Sequence, residues 1–273
     1  MSKNKISRKD FLSTSALLGV STLVGTSALT SCGEKGPVYT PIKEAGTYYV
    51  PELPDKAIDG KELKAGVIGC GGRGSGAIFD LLNAANGIKV VALGDTFADR
   101  LNGLKARLAK SNQVVADDKC FVGFDAYKKV IDSGVDMVVI ATPPAFRPIH
   151  FQYATEKGVH SFLEKPIAVD AKGYRTIMAT AKQAKAKGLS VVTGTQRHHQ
   201  RPYVEAFKKI QEGWIGEITG GNVYWNQSML WYRERQKEWT DTEWMIRDWV
   251  NWKWLSGDHI VEQHVHNIDV FLW

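Results

Sequence analysis

The sequence predicts an α/β protein, a doubly wound parallel-sheet domain followed by a second unit of α+β type. Three observations predict it. Short continuous apolar runs such as MVVIA (137–141) and SVVT (190–193) alternate with amphipathic stretches, as strands covered by helices on both faces require. A glycine-rich turn, GVIGCGGRGSG (66–76), joins the first run to the first amphipathic stretch. After Thr195 the pattern changes, and all nine tryptophans fall between Trp214 and Trp273.

Taken in order, periodicity predicts a strand at 64–68, a helix at 75–85, a strand at 88–93 and a helix at 98–109. A short strand near Phe121, a helix from Ala126, a strand at 136–141, a helix at 148–157 and a strand at 160–163 follow. A helix at 171–187 and a strand at 190–193 complete the first domain. Beyond it the pattern predicts a helix at 203–212, a strand at 217–226 and a helical NIDVFLW (267–273).

The domain plan is therefore 1–32 as a processing signal, 33–62 as a linker, 63–197 as the doubly wound domain and 198–273 as the start of a substrate domain that is incomplete at Trp273. Basic residues up to Lys9 precede 11–31, where eleven of twenty-one residues are Ser, Thr or Gly, too polar for a spanning helix. Pro37, Pro41, Pro51 and Pro54 punctuate the linker. Half of the formal net charge of +6 sits in residues 1–32 and the rest is dispersed, without basic runs, which excludes nucleic acid as the expected partner. Cys32, Cys70 and Cys120 form no even framework and no CxxC pair, so neither a disulfide scaffold nor a thiolate metal site is expected.

The chemistry-bearing residues lie where the strands end. Gly69, Gly71 and Gly74 form GxGxxG between a strand and a helix, where glycines permit a tight turn and the helix N-terminus receives a pyrophosphate, the Rossmann arrangement. Asp95, twenty-one residues beyond Gly74, ends the second strand. A carboxylate there accepts the adenosine ribose hydroxyls and disfavours a 2′-phosphate, so NAD is the expected cofactor; the alternative is a cap on the following helix. Thr142 and Pro143, in ATPP, hold the chain open after the fourth strand. Glu164 and Lys165 end the fifth strand before Pro166, and a lysine so placed either snorkels to solvent or moves protons.

These four motifs together resemble the Gfo/Idh/MocA oxidoreductases, with EKP at Glu164–Lys165–Pro166 the most specific. The resemblance implies an NAD-binding Rossmann domain in which Thr142, Pro143, Glu164, Lys165 and Gln196 join Gly69, Gly71, Gly74 and Asp95 in the cofactor site. It implies that Lys165, often across a cis bond to the proline, steadies the oxygen of a carbinol that loses hydride. GDHIVEQHVHNID (257–269) is similar to the family's acid–histidine motif and carries Glu262, His266 and Asp269, with glutamate for the usual aspartate and His264 for the usual glycine. Four-residue spacing puts Glu262 and His266 on one helical face, where the carboxylate is expected to orient the imidazole and raise its basicity for general-base work. Arg197, His198 and His264 are expected to bind substrate. Asp258, Glu262, His264 and His266 also suit a metal, but the family generally works without one, so none is expected. The tryptophans between 225 and 254 offer flat faces for sugar rings, or simply core.

SRKDFL (7–12) resembles a twin-arginine export signal with Arg8-Lys9 as the pair, and LTSC (29–32) a bacterial lipobox. Export to the periplasm, a lipid anchor at Cys32 as the sole membrane contact and tightly retained NAD are the corresponding expectations. The expected function is NAD-dependent oxidation of a sugar, polyol or glycoside hydroxyl by Lys165 and His266. A redox-neutral NAD-dependent glycosidase and an inactive carbohydrate-binding fragment are the alternatives, and a homo-oligomer is left open.

Overall fold

The computed structural model describes residues 39–44, 48–57 and 60–273. The export signal, Cys32 and all of 33–38 lie outside them. The chain forms two compact units, Met1–Tyr39 and Thr40–Trp273, and every strand and helix described below is in the second.

Apolar runs become strands and amphipathic stretches become helices, as predicted. The order is β1 (Leu63–Ile68), α1 (Gly72–Ala84), β2 (Ile88–Asp95), α2 (Ala98–Lys110), β3 (Cys120–Val122), α3 (Ala126–Ile131), β4 (Met137–Ile140), α4 (Arg147–Glu156), β5 (His160–Leu163), α5 (Ala171–Ala186) and β6 (Val191–Thr193). The six strands form one parallel sheet in the order β3-β2-β1-β4-β5-β6.

Side chains alternate across the sheet and fill a core on each face. Ala65, Val67 and Val139 meet Ala77 and Ile78 of α1 and Leu101, Leu104 and Leu108 of α2. Their neighbours Ile68, Val138 and Ile140 meet Val130 of α3, Phe151 and Ala154 of α4 and Ile177 of α5. Burying each such large side chain stabilises the fold by about 1.5–3 kcal/mol.

Strand order reverses between β1 and β4, because the chain winds outward through β2 and β3 and then returns to the far side of β1. A crevice opens where it reverses, at the carboxyl ends of those two strands. Gly69 follows β1 there, and Thr142 follows β4.

After β6 come a 3₁₀ turn (Gln196–His199), α6 (Arg201–Gln211), α7 (Asp241–Arg247), α8 (Lys253–Ser256), a π turn (Ile260–His264) and α9 (Val265–Leu272). The strand predicted at 217–226 is not formed; residues 217–236 lack regular structure and are mostly exposed. A strand exists by pairing, and none of the described residues from 198 onward supplies a ladder. The segment has the β-branched and aromatic composition of a strand without a partner, so the α+β expectation fails in the described residues.

Candidate functional site

The turn between β1 and α1 leaves room for a ligand. Gly69 has φ of +91°, and a Cβ on Gly74 would stand 1.8 Å from the Gly69 carbonyl oxygen, so neither position accepts a side chain without rebuilding the turn. A Cβ on Gly71 or Gly72 would meet nothing within 4 Å. The turn therefore borders open space, and no side chain caps α1 at Gly71. The amides of the first turn of α1, which have no helical partner, are available to an anion. These features fit a dinucleotide pyrophosphate.

Gly69, Gly71, Asp95, Thr142 and Pro143 line one cleft of about 390 Å³. Asp95 also organises its rim: one oxygen accepts the Cys70 amide at 2.6 Å and the other the Phe97 amide at 2.8 Å. Asp95 thus borders the cleft and holds the turn before α2, but it does not cap that helix, whose N-terminus has no side-chain cap. Burial pushes its carboxyl up, against the lowering effect of the Phe97 and Cys70 amides. Thr142 Oγ1 lies 3.2 Å from His150 Nδ1. His150 is buried, and desolvation together with the Arg147 charge holds its pKa down to about 3.

Glu164 is buried at 5% exposure and accepts a 2.6 Å bond from Arg73 Nε, which ties the strand end to the glycine-rich turn. The peptide bond between Lys165 and Pro166 is cis. Lys165 is not a snorkelling group: its side chain is 15% exposed, and Nζ donates to Glu262 Oε1 at 2.7 Å and to the Glu262 carbonyl at 2.6 Å. Glu262 is itself buried. Arg147 lies beneath this loop, where its guanidinium donates to the Pro166 carbonyl and burial lowers its pKa to about 10.

The acid–histidine motif is arranged differently from the expectation. Glu262 is taken up by Lys165 and by its neighbour Gln263, and no bond joins it to His266. His266 stacks on Trp225, with ring centroids 5.6 Å apart. Burial, then the Lys165 and Arg197 charges, draws its pKa down to about 4. The imidazole is thus made less basic, not more, first by its burial and then by the nearby cations, and the Glu262 carboxylate is bonded to the Lys165 ammonium instead.

Arg197 packs over Trp225 and bonds Asn267. His198 Nε2 lies 2.7 Å from Asp269 Oδ2, and its ring packs on Trp273. Lys165, His198 and Asp269 border a separate, more open hollow of about 670 Å³ with largely apolar walls. Gln196 is exposed and lines neither hollow. The ring of His264 lies 6.4 Å from that of His259, and its Nε2 is buried without a hydrogen-bond partner among the described residues. Among those residues no three His, Cys, Asp or Glu side chains converge as a metal set. Sequence reasoning missed Arg73 and Arg147. The signal for Arg73 was a lone charge inside a turn otherwise built of small residues.

Residues 63–193 match the family described as "Oxidoreductase family, NAD-binding Rossmann fold", Gfo/Idh/MocA. These residues are thus similar to an NAD-binding family, and the glycine turn and Asp95 lie within them. Among curated proteins, a glycosyl hydrolase family 109 protein of Solibacter usitatus is 25% identical over 90% of this chain and 52% of its own length. An inositol 2-dehydrogenase of Salmonella paratyphi B is 30% identical over 77% of this chain and 54% of its own. The chain thus spans about half the length of these Gfo/Idh/MocA relatives. The apo scyllo-inositol dehydrogenase of Lactobacillus casei shares the fold, with a TM-score of 0.56 at 20% identity over 79% of this chain and 56% of that one.

Proposed function

We propose that the protein is an NAD-dependent oxidoreductase acting on a hydroxyl of a sugar, a cyclic polyol or a glycoside. The observation that carries this reading is the 2.7 Å pair between Lys165, at the end of β5, and Glu262, in the motif that also bears His266. An ammonium at the end of a sheet strand is held against the segment that bears His266, which supports a joint role for the two.

NAD, when bound, supplies the hydride acceptor. Lys165, held by Glu262, stabilises charge on the carbinol oxygen. His266, uncharged at neutral pH, takes the hydroxyl proton as the C–H bond yields hydride and the carbon becomes a carbonyl. The depressed pKa keeps the imidazole in its proton-accepting form. Similarity to an inositol dehydrogenase supports the polyol reading.

The glycosyl hydrolase relative, which aligns over 90% of this chain, supports a second reading, in which transient oxidation acidifies a neighbouring C–H, loss of that proton expels the aglycone, water adds to the resulting double bond and the hydride then returns to the carbonyl. The near-ultraviolet absorbance of reduced nicotinamide separates them. A rise on adding inositols or hexoses supports net oxidation, whereas release of nitrophenol from a nitrophenyl glycoside without that rise supports cleavage. Neither response, in a protein shown to bind NADH, overturns both. Export and a lipid anchor at Cys32 belong to the proposal as well; loss of membrane association in Cys32→Ser tests the anchor.

A further inference from the structure

The Asp95 cleft has two walls of different origin. One belongs to the sheet, at Gly69, Asp95 and Thr142; the other is made by Trp231, Arg233, Ile246 and Trp249. Trp231 and Arg233 come from the end of the irregular stretch 217–236, beyond the segment predicted as a strand, and specific bonds fix their position. Asp248, buried, accepts the Arg233 amide at 2.7 Å. The Trp244 indole donates to the Arg233 carbonyl at 2.7 Å, and Asn251 donates to the Trp231 carbonyl at 3.0 Å.

Arg247 joins this wall to the sheet domain. Arg247 donates from both terminal nitrogens to the two oxygens of Asp99 in α2, at 3.1 and 2.9 Å. Its guanidinium lies 3.9 Å from the Phe97 ring centroid and 4.8 Å from that of Trp239, and Nε bonds Glu243 at 2.9 Å. The side chain is 10% exposed. A planar guanidinium paired bidentately and stacked on rings is a specific fastening that lysine would not reproduce.

The chemistry of the wall names what it covers. A carboxylate at the end of β2 marks the adenosine ribose of a dinucleotide, and the opposing wall presents indoles and a guanidinium, surfaces that stack on purines. Arg73, Arg100, Arg233 and Arg247 line the cleft beside the one carboxylate of Asp95, a lining that favours a phosphate-bearing ligand.

We propose that residues 231–249 form a clasp over the adenosine half of NAD, latched by Arg247 on Asp99 and Phe97, which slows release of the cofactor. This rests on the NAD cofactor and not on the identity of the substrate. A ligand walled on both sides leaves when the latch opens, so the latch sets the release rate. The retained NAD expected of an exported enzyme then has a physical cause.

The test loads the purified chain with NADH and follows energy transfer from tryptophan to the reduced nicotinamide while excess NAD displaces it. Arg247→Ala is expected to speed release by about tenfold or more and Asp99→Asn by about threefold, since loosening a contact that holds the bound state acts mostly on the off-rate. The double substitution should release NADH no faster than Arg247→Ala alone. Asp99 has a 59% exposed side chain, so Asp99→Asn keeps the test open if Arg247→Ala does not fold, as judged by circular dichroism. Folded variants that release NADH at the parent's rate overturn the clasp alone. A parent that binds no NADH overturns the clasp together with the cofactor assignment.

Discussion

From β1 to β6 the backbone does most of the holding, through parallel strands in register with side chains packed on both faces. From Gln196 to Trp273 side chains do it: Arg247 on Asp99 and Phe97, Lys165 on Glu262, His198 on Asp269 and Trp273. A ladder repeats and tolerates the loss of one member, whereas a set of separate fastenings does not. The sheet domain thus supplies the frame, and the later segment supplies function at the points where it is fastened to that frame.

The largest expected effect is at the fastening that is also the chemical centre. Lys165→Met should lower turnover by about 10²–10⁴-fold if the proposed role holds, with NADH affinity little changed, because Lys165 borders the more open hollow and not the Asp95 cleft. Steady-state kinetics beside NADH titration checks it, and retained turnover sinks the assignment. In the frame, Phe151→Ala, at 1% exposure between two elements of the core, should cost about 3–5 kcal/mol of stability in denaturant unfolding.

A third effect comes from acid. His150 has a folded pKa near 3 against 6.5 in the unfolded chain, so the unfolded chain takes the proton first as pH falls. Its contribution is intact above pH 6.5 and is lost progressively toward pH 3. Acidifying from about pH 7 to about pH 4 should remove on the order of 3 kcal/mol, and His150→Gln should flatten that slope. His266, with its pKa near 4, adds to the same trend. The smallest effect sharpens the contrast: Ile218→Ser, at 52% exposure in the stretch without a ladder, should stay within about 0.5 kcal/mol.

Legibility follows the same division. The strands could be read because a parallel sheet buried on both faces demands unbroken apolar runs, and the glycine turn because Gly69 and Gly74 permit no Cβ. Glu164 and Lys165 were conspicuous as charges at the end of a buried strand. The segment at 217–226 misled because its residues suit a strand while pairing depends on a neighbour that composition does not reveal. Nor could spacing disclose Arg247, whose partner Asp99 is 148 positions away. Glu262 was assigned to His266 by helical spacing, but the ammonium of Lys165 lay closer than the pattern could tell.

The outermost strands, β3 and β6, are each three residues long. Each therefore offers a second molecule only a few free peptide groups on its outer side, too few to seed an intermolecular sheet. Brevity at both margins guards the domain against edge-on aggregation, while the long central strands β1 and β2 remain shielded inside.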